Sequence, residues 1–379
     1  MLSAMTWTID ASFPGANACG AALDQHDGTA AVSVAADPRH GPEALWFRLR
    51  LRRLDSAAPA PWLLLRGVDN LLGGRDGSAL QPVARCERGP WQRLPRGIPV
   101  QHADGRVDAR WRLPDAAALI EVAFCIPYGD EELDQLLAAT RGRLHLRSIG
   151  SSEGGRPFLR LANGDGVEGS QRPGLFIIAR QHAGETPGSW VLDGLLRRIA
   201  ELGEDAPLTW AIPFADCDGV AEGAYGKDRH PVDFNRSWWT MGRRHEVHCA
   251  MRDLARWRAR CAPRLCLDLH APGALERDGC YVFTTLGGSG QASPASAAWS
   301  ERFAAALGGR FASASFTRHA TYPSRWPRDT HPAFTSWAAE QQHLDALSLE
   351  TSYQGQGDAT FLEADYREIG RRLADALRA

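Results

Sequence analysis

The sequence predicts two domains: an antiparallel β-sandwich over residues 1–128, followed by an α/β domain over residues 129–379. Three observations lead to this prediction. Apolar and charged residues alternate in the first part of the chain, short apolar runs alternate with helical segments in the rest, and the change falls at Pro127-Tyr128-Gly129. The second domain is expected to have a mixed, largely parallel central sheet flanked by helices.

The N-terminal prediction depends on two segments with a period of two residues. Residues 46–52 and 107–113 alternate apolar and polar side chains, as half-buried antiparallel strands do. Further apolar runs at 62–65 and 119–126 are separated by clusters of Gly, Pro and Asp, which is typical of a β-sandwich. The sequence shows no catalytic set of residues in this domain.

The α/β prediction depends on a change to helical spacing. Asp130 can cap a helix in which Leu133, Leu136 and Leu137 recur, and residues 188–200 give a second helical pattern. Because ligands bind where the carboxyl ends of parallel strands converge, the residues after each strand are the functional candidates. Four apolar runs are predicted as strands of this sheet: Gly174 to Ala179, Leu208 to Phe214, Leu265 to Leu269 and Ala346 to Leu349.

Composition limits the functional classes. The 379 residues carry 43 basic and 45 acidic side chains, a net charge of −2, so no global field favours nucleic acid or an anionic membrane. The eight cysteines form no CxxC pair, and no apolar run approaches the roughly 20 residues of a membrane span. These observations predict a cytoplasmic enzyme with neither a nucleic-acid nor a membrane partner.

The residues after two predicted strands have the chemistry of a metal site. His182 and Glu185 follow the first run as an HxxE pair, and His270 ends the third run. Taken alone, HxxE is more typical of a capping carboxylate near a hydrogen-bonded histidine. Two histidines and one carboxylate with an open fourth position, however, form a recurring catalytic zinc set. The combination therefore predicts a Zn2+ site.

Two other segments place polar groups at the same predicted edge. Glu350 follows the last run and is either a general base or an ordinary charge at a strand end. Asn235 and Arg236 offer an amide and a guanidinium suited to holding a carboxylate, although a loop arginine paired with a structural aspartate is the alternative. Asp233 is a candidate to orient a metal-bound histidine through its second N–H.

These motifs, in this order, resemble the zinc metallocarboxypeptidases of the carboxypeptidase A type, from about residue 130 to the C-terminus. Residues 124–128 and 149–156 resemble the junction and the opening segment of the cytosolic carboxypeptidase branch, which carries a β-sandwich ahead of its catalytic domain. The resemblance implies one Zn2+ per chain and a role for each motif residue: His182, Glu185 and His270 as zinc ligands, Glu350 as general base, Asn235 and Arg236 as the clamp on the substrate's terminal carboxylate, and Asp233 as the support of a ligand.

The chain departs from the family pattern at the group that stabilises the oxyanion. The segment Tyr225-Gly226-Lys227 stands where the family usually has Tyr-Arg, and residues 216–219 read Asp-Cys-Asp-Gly in place of Asn-Pro-Asp-Gly. Lys227, the only lysine in the chain, or Arg229 would supply the missing charge, unless Lys227 is incidental. Tyr322 would donate its phenol to the substrate, as a loop tyrosine does in the family, or simply pack within its loop.

The predicted function is that of a zinc-dependent metallocarboxypeptidase, an exopeptidase that hydrolyses the C-terminal peptide bond of peptides or proteins with a zinc-activated water and Glu350 as general base. Two alternatives stay open: a zinc acylase that acts on N-acyl amino acids, and a catalytically silent peptide-binding protein. Neither the preferred C-terminal residue nor the oligomeric state can be predicted from the sequence.

Overall fold

The computed structural model describes residues 6–26, 29–72, 75–115, 117–238, 244–285, 293–320 and 333–378. The chain divides into two compact units. The first contains Met1–Pro127 together with Gly219–Tyr225, and the second contains Tyr128–Asp218 together with Gly226–Ala379. A short segment from the middle of the sequence thus belongs to the first unit.

In the described residues, the first unit contains ten strands and the short helix α1 (Val68–Leu71). The strands are β1 (Trp7–Asp10), β2 (Cys19–His26), β3 (Thr29–Ala35), β4 (Arg48–Arg53), β5 (Trp62–Leu65), β6 (Val83–Cys86), β7 (Gln92–Arg93), β8 (Ile98–Gln101), β9 (Val107–Arg112) and β10 (Leu119–Ala123). They form two five-stranded sheets, in the orders β1-β4-β10-β6-β7 and β2-β3-β5-β9-β8. The two segments with a period of two residues form β4 and β9, whose Leu49, Leu51 and Trp111 are buried.

The N-terminal sheets confirm the predicted antiparallel architecture with one exception. Every pair in the first sheet is antiparallel, but β3 and β5 of the second sheet are parallel. The reason is that β4, which lies between them in sequence, belongs to the other sheet. The chain therefore returns to the second sheet in its original direction.

The second unit contains a nine-stranded mixed sheet. Its strands are β11 (His145–Ser151), β12 (Pro157–Ala162), β13 (Pro173–Ala179), β14 (Leu208–Ile212), β15 (Ala262–His270), β16 (Asp278–Thr285), β17 (Ala312–Ala320), β18 (Ala346–Gln356) and β19 (Ala359–Thr360). The order is β11-β12-β14-β13-β15-β18-β16-β17, with β19 on β18. The four central strands, β14-β13-β15-β18, are parallel, which confirms the predicted largely parallel sheet.

Helices flank this sheet. They are α2 (Asp130–Ala139), α3 (Thr186–Leu202), α5 (His245–Arg258), α6 (Pro294–Phe311), α7 (Phe334–Gln342) and α8 (Glu363–Ala376), together with 3-10 turns at Gly203–Asp205 and Phe234–Arg236. The short helix α4 (Cys217–Glu222) begins in the second unit and ends in the first, and a 3-10 turn at Gly77–Ala79 belongs to the first unit. Phe176 and Ile178 of β13 join a buried cluster with Trp257 of α5 and Phe334 of α7. Because side chains alternate along a strand, the intervening residues of β13 face the opposite side of the sheet. The central strand is therefore apolar throughout, as the sequence predicts.

No helix in the part of the chain that the structure describes has the length and apolar character needed to cross a bilayer.

Candidate metal centre

Arg180 shapes the loop that carries His182 and Glu185. This residue directly follows β13 and has a φ of 61°, in the left-handed region that non-glycine residues seldom adopt. Its buried guanidinium donates from Nε to the carbonyl of Ala183 at 2.7 Å and from Nη1 to the carbonyl of Tyr128 at 3.0 Å. The backbone N–H of Glu185 donates to the carbonyl of His182 at 3.1 Å. The loop is thereby closed just before α3 begins.

Strand register places His270 beside Glu350. The two residues are partners in the parallel pairing of β15 with β18. His270 is the last residue of β15, as predicted. The prediction that Glu350 lies at a strand end is wrong, because β18 continues to Gln356, where it pairs with β16 and β19. Glu350 is a mid-strand residue, and its carboxyl group is set by the sheet.

Three side chains converge as a possible metal-ligand set. Nδ1 of His182 lies 2.8 Å from Oε1 of Glu185, and Nδ1 of His270 lies 2.7 Å from Oε2 of the same carboxylate. One ligand atom from each residue lies within 4.8 Å of the others. Imidazole nitrogens and a carboxylate are ligands that zinc accepts, and three protein ligands leave a position for water or substrate. The donor set therefore fits a catalytic zinc site.

The second nitrogen of each histidine faces a carboxylate. Nε2 of His182 lies 3.1 Å from Oδ2 of Asp233, and Nε2 of His270 lies 2.9 Å from Oδ2 of Asp268. Asp233 is itself held by the backbone N–H groups of Asp228 and Asn235, at 2.9 and 2.8 Å. Such outer carboxylates fix a ligand histidine so that its other nitrogen points at the metal. Both imidazoles are arranged to present Nδ1.

The pKa values of the three ligand side chains are strongly shifted by their charged neighbours. Burial lowers the pKa of His182, but the carboxylates of Glu185 and Asp233 outweigh burial and raise that pKa to about 9. At His270, Asp268 and Glu185 likewise outweigh burial and hold the pKa well above its usual range. Burial raises the pKa of Glu185, yet His182 and the other nearby cations hold it well below its usual range. These shifts favour an ionised carboxylate between two protonated imidazoles, and a metal bound through Nδ1 would displace a proton from each ring.

Glu350 contributes a second carboxyl group that is not part of the ligand set. In the described residues its buried Oε2 has no hydrogen-bond partner. Burial raises the pKa of Glu350, the charge of Glu185 adds to this effect, and His270 opposes it. A buried polar atom without a partner is costly, so its retention beside a metal-ligand set points to a functional role.

Lys227 lies at this cluster. Its Nζ is 3.1 Å from Oε1 of Glu185, and it donates to the carbonyls of Ala271 and Pro272 at 3.2 and 3.3 Å. Those carbonyls directly follow His270 in sequence. The only lysine in the chain therefore connects the two segments that carry the ligands.

Gly226 explains why arginine is absent from the position before Lys227. Its φ is 92°, and a Cβ built there would lie 3.1 Å from the carbonyl carbon of His182 and closer still to the backbone nitrogen of Ala183. The backbone at Gly226 thus packs directly against the loop that carries His182 and Glu185, named the ligand loop below, and leaves no room for a side chain. Arg229, the other predicted source of charge, is buried and donates to Asp216 at 2.9 Å.

The two residues of the predicted carboxylate clamp, Asn235 and Arg236, lie in different environments. The side chain of Asn235 is buried, with Oδ1 accepting from the backbone N–H of Phe334 at 3.0 Å and Nδ2 lying 3.1 Å from Nε2 of His270. Arg236 is partly exposed and donates to the carbonyl of Asn235 at 3.0 Å. Tyr322 lies outside the described residues.

Sequence reasoning missed two polar side chains near His270, Asp268 and Gln181. Asp268 lies two residues before His270 on β15, so the two share one face of the strand, and that spacing was the available signal. Gln181 directly precedes His182, and its amide reaches Asp268, Asn235 and the indole of Trp238. No local pattern distinguishes this glutamine from a surface residue.

Comparisons with known proteins agree with this geometry. Residues 130–266 match the family model for zinc carboxypeptidases. Mouse cytosolic carboxypeptidase 6 is 27% identical over 183 residues, and an uncharacterised protein of Zymomonas mobilis is 28% identical over 125 residues. These alignments cover 43% and 31% of this chain, and 34% and 32% of the relatives, so the matched part spans about a third of each curated relative.

Solved structures share the fold over nearly the whole chain. A metallo-carboxypeptidase from Burkholderia cenocepacia has a TM-score of 0.77 at 19% identity, and the match covers 98% of each chain. A metallo-carboxypeptidase from Pseudomonas aeruginosa, solved with (2-guanidinoethylmercapto)succinic acid, has a TM-score of 0.73 at 20% identity with the same coverage.

The fold and the His-Glu-His cluster define the class of protein as metallocarboxypeptidase-like. The resemblance predicted from the sequence is confirmed, since residues 130–266 match the zinc carboxypeptidase model and the chain shares the fold of metallo-carboxypeptidase structures. The family match and the shared fold also support the predicted hydrolase class.

Proposed function

We propose that this protein is a zinc-dependent carboxypeptidase that hydrolyses the C-terminal peptide bond of peptides or proteins. The observation that carries the proposal is the pairing of a His-Glu-His ligand set with a separate carboxyl group. Glu350 lies opposite His270 in the sheet, and its Oε2 has no partner in the described residues. A hydrolytic site needs this combination of ligands and a proton acceptor.

The metal would be held by His182, Glu185 and His270, with Asp233 and Asp268 fixing the two imidazoles. Zinc, when bound, supplies a Lewis acid that polarises a carbonyl and lowers the pKa of a water molecule.

The free state of all eight cysteines supports a reducing compartment, so the cytoplasm is the proposed location.

Glu350 moves the protons. Its carboxylate accepts a proton from the attacking water and later gives that proton to the amine of the departing residue. Burial raises the pKa of Glu350, which brings its basicity closer to that needed for both steps. A neighbouring group that already bonded Oε2 would compete with the water for it.

Recognition of the free C-terminus is assigned to Arg236, with Asn235 beside it. The guanidinium offers donors in a planar fork that matches a carboxylate. Lys227 supplies the positive charge for the oxyanion, because its ammonium lies at the ligand cluster where Gly226 excludes an arginine. Holding the terminal carboxylate makes the enzyme an exopeptidase.

The test is Glu350→Gln, assayed for zinc content and for release of C-terminal residues from a peptide library. We expect one zinc per chain and no measurable turnover, because the amide keeps the shape of the side chain but cannot accept the proton. The matched control is Glu246→Gln. Glu246 is also buried, has a raised pKa caused by burial and has an unpartnered Oε2 within the described residues, but it lies on α5 outside the cluster.

The outcomes separate the competing functions. Turnover retained by Glu350→Gln would remove Glu350 from the mechanism. Cleavage of N-acyl amino acids but not of peptides by the wild-type protein would favour the acylase. Full zinc loading without hydrolysis of either substrate class would favour a silent peptide-binding protein.

A further inference from the structure

Gln181 is a fully buried amide whose orientation is fixed from one side. Its Oε1 accepts a hydrogen bond from Nε1 of Trp238 at 2.6 Å. An indole N–H can only donate, so this contact determines which end of the amide is oxygen and which is nitrogen. The two hydrogens on Nε2 of Gln181 must therefore point away from Trp238.

Those two hydrogens reach both of the side chains that lie beside Nε2 of His270. Nε2 of Gln181 lies 3.1 Å from Oδ1 of Asn235 and 2.7 Å from Oδ2 of Asp268. Oδ1 of Asn235 also accepts from the backbone N–H of Phe334 at 3.0 Å. Because both neighbours donate to this oxygen, Nδ2 of Asn235 has to face His270.

The same network determines what His270 meets at Nε2. Oδ2 of Asp268 lies 2.9 Å from this nitrogen, and Nδ2 of Asn235 lies 3.1 Å from it. A metal on Nδ1 requires a hydrogen on Nε2, and Asp268 accepts that hydrogen, because Nδ2 of Asn235 can only donate. Oδ1 of Asp268 has no partner in the described residues, so the bond from Gln181 is a main restraint on this carboxylate.

We infer that Gln181 is a positioning residue for the metal site, which acts through Asp268 to hold His270 with Nδ1 toward the ligand cluster. Within the described residues, the side chain of Gln181 bonds Asn235, Asp268 and Trp238 and no ligand atom of the cluster. The inference rests on the proposed function, because it concerns the imidazole that would bind zinc.

The experiment measures zinc affinity by competition with a chromophoric chelator. Gln181→Leu removes both donors and the acceptor at similar volume, and we expect zinc binding to weaken by about tenfold or more, as for other outer partners of metal-bound histidines. Trp238→Phe keeps an aromatic ring in the core but frees the amide to invert. We expect a smaller loss of affinity in this milder variant.

Asn163→Leu is the control for general damage. The side chain of Asn163 also makes two hydrogen bonds to backbone groups. Its Nδ2 donates to the carbonyl of Pro207 at 2.9 Å, and its Oδ1 accepts from the N–H of Thr209 at 2.8 Å, but these bonds lie between β12 and β14. We expect this variant to lose stability and keep the zinc affinity of the wild type.

A spectroscopic measurement separates positioning from stability. In the zinc-loaded protein labelled with 15N-histidine, the Nε2 proton of His270, assigned by its absence in His270→Gln, should exchange slowly with solvent. The inference predicts faster exchange in Gln181→Leu and Trp238→Phe but not in Asn163→Leu. Unchanged zinc affinity and unchanged exchange in the first two variants would overturn it. Failure of the wild-type protein to bind zinc would instead overturn the proposed function, and the inference with it.

Discussion

The contact between Gly226 and the ligand loop predicts a loss of stability whose magnitude can be worked out from the structure. Gly226→Ala puts a methyl group in a left-handed backbone conformation, which costs about 1–2 kcal/mol. The methyl also overlaps the backbone of residues 182 and 183, and overpacking of this kind costs about 1–3 kcal/mol more. We expect a total loss of about 2–5 kcal/mol in the free energy of unfolding, measured by urea titration of the metal-free protein.

The control for the backbone cost is Gly169→Ala. Gly169 has a φ of 77°, and a Cβ built there meets nothing within 4 Å, so this variant keeps the conformational cost without the overlap. It should lose only about 1–2 kcal/mol. Because the overlap falls on the loop that carries His182, zinc affinity should drop by about tenfold in Gly226→Ala alone. Equal stability losses in the two variants, with equal zinc affinity, would refute the argument.

Two further predictions concern charged groups. Lys227→Met should lower peptide turnover at saturating zinc by about 100-fold to 1000-fold if the ammonium stabilises the oxyanion. Full turnover would instead limit Lys227 to its structural contacts, among them Glu185 and the carbonyls of Ala271 and Pro272. Burial raises the pKa of Asp253 to about 6 although Arg160 lies 2.9 Å away. The folded state then binds more protons than the unfolded chain between about pH 4 and pH 6, so this group's stabilisation falls as pH rises through that window, by at most about 3 kcal/mol. Asp253→Asn should flatten this part of the stability profile, and an unchanged slope would contradict the assignment.

Local patterns were sufficient to predict the central sheet. Each central strand is an apolar run followed by polar residues, because a parallel strand is covered on both faces and its functional groups lie beyond its end. That reasoning predicted the positions of His182 and His270. It was wrong for the end of β18, since residues after Glu350 read as a polar mixture and their strand conformation depends on pairing with β16 and β19.

The outer part of the site could not be predicted in this way. A buried glutamine or aspartate has no distinctive spacing, and its importance follows from which atoms it meets across the fold. Asn235 shows the difference, because its motif suggested a substrate clamp but gave no sign that its side chain also lies 3.1 Å from Nε2 of His270 and accepts from the backbone N–H of Phe334. The lack of an arginine before Lys227 likewise acquires a reason only once Gly226 is seen against the ligand loop.

The charge balance of the cluster shows why these residues can share a small buried volume. Glu185, whose pKa is held well below its usual range, lies between His182 and His270, whose pKa values the neighbouring carboxylates raise, so the cluster favours one carboxylate between two doubly protonated imidazoles. Ligation through Nδ1 replaces one proton on each ring, and two protons carry the same charge as one divalent cation. Buried charges are tolerated only when they are paired. The exchange keeps the net charge of the cluster constant, so the same arrangement of Asp233 and Asp268 suits the protein with and without its metal.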